Sequence, residues 1–349
     1  MSLLIETHIA QPSDYPCTHN RDNSIDIAKG IAILLVIIGH LDIPFLTGFI
    51  FSFHMPIFFI ISGMLFKDKD HLIKNKFLKY VKPYLFSIIG LIVVKLLFNI
   101  LIQRDSTLLI HSVFRWFKAG IWGSMFNNLL GFSLPTVGMI WFFWALFWTQ
   151  LFNHYIIKIQ NNLLQFVIVS SLLVFSLFSS KYTGLPFSIQ SACSCYLFLF
   201  VGYNLKAGFF KSNLVLIVLC CIIWAIDLYY TAIDTYPNFG LCRFPDELIN
   251  YSGAIAASYL ILSLSRLIDK FKILNVVLSF FGRYSVVVLC FHFIEQITFP
   301  WGAIIIHLSE YLNFGMSVMI VIIIKMIIAF LSVKFVLHIQ PLKQLFSLK

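Results

Sequence analysis

What most limits the fold of this chain is a succession of apolar stretches, each near the length at which a helix crosses a bilayer. They cover residues 27–41, 49–66, 84–102, 138–153, 163–179, 189–205, 214–231, 248–264, 284–306 and 314–337. A hydrocarbon core of about 30 Å takes around 20 helical residues. Hydrophobic residues make up 60% of the 349 positions and charged ones 11%, too little polar surface to clothe a soluble globule of this size. Runs this long argue for helices rather than a barrel, whose strands alternate in polarity. The expected class is an all-α polytopic membrane protein of about ten transmembrane helices. Residues 116–134 are also apolar but carry Asn127, Asn128 and several glycines, which predicts a re-entrant or interfacial segment.

Charge sets the orientation. With the N-terminus in the cytoplasm, the inside segments hold 17 basic residues, among them Lys29, Arg283 and the run Lys67, Lys69, Lys74, Lys76, Lys79, Lys82. The outside segments hold five: Arg104, Arg115, Lys118, Lys181 and Arg243. This bias favours an even number of spans with both termini cytoplasmic. It also explains the net charge of +10 without nucleic acid, because the cations sit between spans and build no continuous basic domain. The polar start, residues 1–24, has no apolar core behind a charged end, so no cleaved signal peptide is expected. The expected organisation is a tail at 1–24, one membrane domain at 25–340 and a short tail at 341–349. The seven cysteines fit neither zinc-site nor disulfide spacing and read as small apolar residues, and no metal site is expected.

Two ionisable groups share a face of the first span. Lys29 and His40 are separated by ten residues, close to three helical turns, which stacks them about 16 Å apart. Asp26 lies near the same face, one turn before Lys29. His54 opens the second span and returns a histidine to the side of His40, with Asp42 beside both. Two histidines and an acid at one membrane face suit acid–base or acyl-acceptor chemistry near neutral pH. As simple anchors, Lys29 would mark the inside and His40 the interface. A second polar set is His292 and Glu295, three apart on the ninth span, with Lys325 within the tenth. It reads either as a structural Glu295–Lys325 pair or as a tunnel lining. Lys95 and Asp227 are singletons expected to pair or snorkel.

At these residues the chain resembles membrane acyltransferase family 3. The resemblance rests on residues 26–40, similar to a first-helix signature of a basic residue, ten residues and His. It rests also on residues 53–63, with His54-Met55-Pro56, an aromatic run and Ser62-Gly63; on a basic helix ending in Pro83-Tyr84; on Trp141-Phe142-Phe143; and on Gly282-Arg283-Tyr284-Ser285 leading to His292. The basic position, commonly Arg in that family, is Lys29 here, which replaces a planar fork by a point charge.

The resemblance implies an acyl-CoA-dependent O-acetyltransferase of a bacterial plasma membrane. Acetyl-CoA would bind from the cytoplasm with its phosphates among Lys29, Lys76, Lys79 and Arg283. His40 would act as general base or transient acyl acceptor, with His54 or Asp42 orienting it, and Lys29 on the donor side of the same helix counts with His40 and His54 in the implied catalytic set. Asp26, Asp42, Trp141, His292, Glu295 and Lys325 are candidates for a tunnel or acceptor lining. The implied acceptor is a sugar hydroxyl of a surface polysaccharide or its lipid-linked precursor. The rival from another class is a transporter or flippase of a polar solute or lipid-linked sugar, since buried charges also mark transport paths. No inverted repeat or matched pair of broken helices supports it.

Overall fold

A computed structural model describes residues 22–41, 43–68, 71–98, 106–122, 137–205, 213–231 and 236–348. Fifteen α-helices lie within them. The first six are α1 (Asn23–Gly39), α2 (Pro44–Phe51), α3 (Pro56–Met64), α4 (Leu72–Phe98), α5 (Ser106–Trp122) and α6 (Trp141–Ile156). The chain continues through α7 (Asn162–Ser179), α8 (Ile189–Leu205), α9 (Leu214–Tyr230), α10 (Glu247–Ile268) and α11 (Lys272–Arg283). It ends with α12 (Ser285–Thr298), α13 (Trp301–Ser309), α14 (Phe314–His338) and α15 (Gln340–Leu345). Among the described residues the only β pairing is an isolated antiparallel bridge between Asn238 and Arg243.

The protein is a helical membrane protein. Among the described residues, five segments are long and apolar enough to cross a bilayer: Leu46–Met64, Leu72–Leu97, Asn162–Ser179, Glu247–Ile268 and Phe314–His338. A sixth is the pair α11 and α12, if the two count as one span bent by 71°. Many outward side chains are large and apolar, such as Phe166, Val215 and Leu331, as lipid contact requires.

Hydropathy alone misplaced several boundaries. Apolarity puts the start of the third stretch at Tyr84, but α4 begins at Leu72 and continues through Pro83, because lysines are good helix formers and extend the helix past the apolar run. The second stretch is broken by a turn at residues 52–55, where Pro56 cannot donate a backbone hydrogen bond and starts a new helix. The ninth divides into α12 and α13 around Pro300. Of the predicted re-entrant stretch, the part up to Trp122 is helical and 123–136 lie outside the described residues.

Among the described residues, five helices carry side-chain N-caps. Asp22, Asn161, Asn213, Asp246 and Asn313 each accept a hydrogen bond from a first-turn backbone N–H, satisfying donors that no earlier residue of the helix can reach. The singleton Asp227 accepts a hydrogen bond from Asn250 Nδ2 at 2.8 Å, which ties α9 to α10. Lys95 lies over the Trp116 ring, 5.5 Å from its centroid.

Two helix pairs that position the site meet backbone to backbone. A Cβ on Gly30 would collide with the Leu278 carbonyl, and one on Gly282 with the Asp26 carbonyl, so α1 and α11 touch along their small residues. Gly63 and Gly202 join α3 to α8 in the same way. Between apolar helices in lipid no hydrophobic drive separates partner from solvent, so such close packing carries the association.

Candidate active site

α1 is straight helix from Asn23 to Gly39, with His40 as its C-cap residue, so Lys29 and His40 stand at different levels of one helix as their spacing requires. Each lines a different cavity. One, of about 400 Å³, is lined by Lys29, Lys76, Lys79, Tyr80 and Arg283, with Ser62, Phe142 and the C-terminal residues Phe346 to Leu348 completing its walls. The other, of about 220 Å³, is lined by His40, Phe51, His54, Met139, Trp141 and the segment Tyr236–Leu241.

The Lys29 cavity is cationic. Lys76 and Lys79 are three apart on α4, which turns both to one face. Lys74 and Lys82 of the same run are not part of this wall; Lys74 lines a separate open cleft with Asp68, His71, His154 and Lys158. Asp26 is 2% exposed and organises the other two cations: its Oδ1 is 3.7 Å from Lys29 Nζ and its Oδ2 3.5 Å from Arg283 Nε. Arg283 also donates to Asn23 Oδ1 at 3.1 Å. One buried carboxylate facing two cations leaves net positive charge toward the cavity, the arrangement that receives phosphate. Asp26 therefore braces the cationic wall through Lys29 and Arg283.

His40 is held by its own helix. Its Nδ1 lies 2.7 Å from the Val36 carbonyl oxygen. A carbonyl only accepts, so Nδ1 carries the proton and Nε2 is left with its lone pair. His54 is fixed in the same way, Nδ1 to the Ile50 carbonyl at 2.8 Å. The Val36 carbonyl fixes the His40 ring; Asp42 lies outside the described residues. Phe51 sits between the two histidines, 5.5 Å from the His40 ring and 4.6 Å from the His54 ring, and 4.7 Å from Tyr236.

The second polar set reaches His40 from behind. The His292 ring is 5.4 Å from that of His40, edge to face. Its Nδ1 bonds Glu295 Oε1 at 2.5 Å, and its Nε2 is buried with no hydrogen-bond partner among the described residues. Lys325 Nζ donates to both Glu295 oxygens at 2.8 and 3.0 Å, and the Trp301 indole N–H also donates to Glu295. The expected Glu295–Lys325 pair is therefore present, and it also anchors a histidine beside His40. Lys325 further donates to Gln296 Oε1 at 2.8 Å, while Gln296 Nε2 donates to the His40 carbonyl at 3.0 Å. A buried charge without such partners costs several kcal/mol, and here one carboxylate and one ammonium satisfy each other.

Trp141 lines the His40 cavity and stacks on Phe59. Gly240 packs against its indole: a Cβ there would lie 2.5 Å from Nε1. Ser191 Oγ holds the Gly240 carbonyl at 2.7 Å, and the Asn238–Arg243 bridge closes the loop. Sequence reasoning missed Phe51, Met139, Gln296, Trp301 and this loop. A polar residue beside Glu295 was the one available signal, for Gln296; nothing local marks the loop as a cavity wall.

The acyltransferase domain family's sequence profile matches residues 22–338. Two proteins called Nodulation protein NolL are similar. That of Mesorhizobium japonicum is 33% identical over 142 residues, 37% of this chain and 34% of that protein. That of Sinorhizobium fredii is 28% identical over 180 residues, 48% of this chain and 45% of that protein. The chain thus matches less than half the length of either. No solved structure shows a significant match. A profile match from the first capped helix to the end of α14, over the cationic wall and both histidine-bearing segments, establishes that this chain belongs to the acyltransferase domain family.

Proposed function

We propose that this chain is an integral membrane O-acetyltransferase that moves an acetyl group from cytoplasmic acetyl-CoA to a sugar hydroxyl of a bacterial surface polysaccharide or its lipid-linked precursor. In this reading one membrane domain covers residues 25–340, between tails at 1–24 and 341–349, in the plasma membrane. Ten spans with both termini cytoplasmic fit the 17-to-5 charge bias, and each of the ten apolar stretches carries helix. α1, α6, α8 and α9, at 16 or 17 residues, are only slightly shorter than the helices that qualify by length.

The observation that carries the reading is that Lys29 and His40, on one helix, line two different cavities, one cationic and one bearing histidines. The CoA phosphates occupy the first, held by Lys29, Lys76, Lys79 and Arg283. Its pantetheine arm runs along α1 toward His40, over roughly three turns. The acceptor hydroxyl enters the second cavity, where His54 and Trp141 line its path.

His40 Nε2 removes the hydroxyl proton as the oxygen attacks the thioester carbonyl carbon. The C–S bond then breaks and the CoA thiolate recovers the proton from His40, leaving ester and thiol. His292, held by Glu295 and Lys325, packs edge to face against the His40 ring and keeps it in place. An oriented imidazole in a largely closed site is favoured over bulk water by prior positioning.

Proteoliposomes carrying the purified protein, given radiolabelled acetyl-CoA and a crude lipid-linked glycan fraction, test this directly. Label in glycan, lost in His40→Ala, is the expected result. Uptake of label into the lumen without any covalent transfer would instead support transport and overturn the proposal.

A further inference from the structure

Among the described residues, Met55 is the one side chain that lines both cavities. It stands in the turn between α2 and α3, directly after His54 and before Pro56, and is 5% exposed. The immediate neighbours divide cleanly between the two sides. Val36 and Phe142 face the cationic cavity, whereas Met139 and Trp141 face the other. Val36 also supplies the carbonyl that holds His40, so the partition lies next to the base.

Methionine suits a movable partition. Its unbranched side chain has three rotatable bonds and changes shape without displacing the backbone, which a β-branched residue there would not do. The backbone itself is held, because Pro56 fixes the first turn of α3 and Gly63 locks that helix to α8.

Resting on the acetyltransferase reading above, we propose that Met55 is the gate between the donor and acceptor chambers and sets the acyl length the enzyme accepts. Closed, it keeps water in the acceptor chamber away from the thioester. Open, it admits a short acyl group to His40 and leaves no room for a long one. Exclusion of water protects an activated acyl group from hydrolysis, in which water adds to the carbonyl carbon and CoA leaves as thiol with free carboxylic acid.

The experiment measures CoA thiol release in proteoliposomes without acceptor, using acetyl-CoA, butyryl-CoA and octanoyl-CoA, together with binding of each donor. Met55→Ala is expected to release CoA from acetyl-CoA about tenfold faster than wild type and to narrow the preference for acetyl over butyryl about tenfold. Both gains should vanish when His40→Ala is added, and Met55→Leu should stay within about twofold of wild type. Should Met55→Ala not fold, Met55→Phe is expected to bind acetyl-CoA normally yet lose transfer to the glycan fraction about tenfold. If wild type transfers acetyl and a folded Met55→Ala keeps the wild-type hydrolysis rate and chain-length preference, the gate is overturned and the acetyltransferase reading stands. Transfer by Met55→Phe at the wild-type rate overturns the gate in the same way. If wild type neither binds acetyl-CoA nor transfers its label, both fall.

Discussion

The two cavities along α1 are built on opposite physical plans. The cationic one gathers lysines and an arginine that are half-buried to exposed, with a single buried carboxylate between two of them. Its surplus positive charge suits a ligand that brings its own negative charge. The histidine-bearing one has Phe51, Trp141, Tyr236 and Phe239 in its wall, and His40 and His54 each commit one ring nitrogen to a backbone carbonyl. Binding an anion needs positive charge; proton transfer needs a fixed nitrogen. On the proposed reading, the difference separates the end that recognises the donor from the end that reacts.

That contrast is broken most sharply at His40. His40→Ala should lower acetyl transfer by about 10³-fold while acetyl-CoA affinity stays within about threefold, so comparable losses in both would erase the division between the ends. Next in size is the support behind it. Lys325→Met leaves Glu295 buried without its cation and should cost about 3–5 kcal/mol of stability, and adding Glu295→Gln should recover most of that. Thermal unfolding of the purified variants measures both, and a silent Lys325→Met would mean the set is not buried as described.

Smaller effects belong to the cationic end. Lys29→Gln or Arg283→Gln should each raise the KM for acetyl-CoA about tenfold with kcat little changed, the signature of binding lost equally in ground and transition states. Smallest is a paired comparison on α4. Lys76→Gln with Lys79→Gln should weaken donor binding several-fold, about what the loss of two partly screened charges produces. Lys74→Gln with Lys82→Gln should stay within about twofold, since neither lines the cavity. Equal effects from the two pairs would reduce the cationic wall to a diffuse charge field.

Some of this was legible residue by residue. The stacking of Lys29 and His40 about 16 Å apart follows from helical periodicity, and the Glu295–Lys325 pair from the cost of leaving either alone in hydrocarbon. The approach of His292 to His40 was not, because the two lie far apart in the chain and only the packing of α12 on α1 brings the rings together. Nor was the bend of 71° at Tyr284, which directs Arg283 to Asp26. Apolar run length carries no information about a kink inside the run.

Composition, hydropathy and charge bias determined by themselves that this chain is a helical membrane protein, because the cost of burying polar groups in lipid leaves few alternatives. Motif spacing along α1 and α12 placed the ionisable residues on shared helix faces, since helical period is a local property. Only the tertiary structure decided which faces meet: the contact of the Gly30 and Gly282 helices, the loop at 236–241 roofing the histidines, and Met55 between the two chambers. Those depend on side-chain shape across segments distant in the chain, and packing of that kind leaves no periodic trace in any one of them.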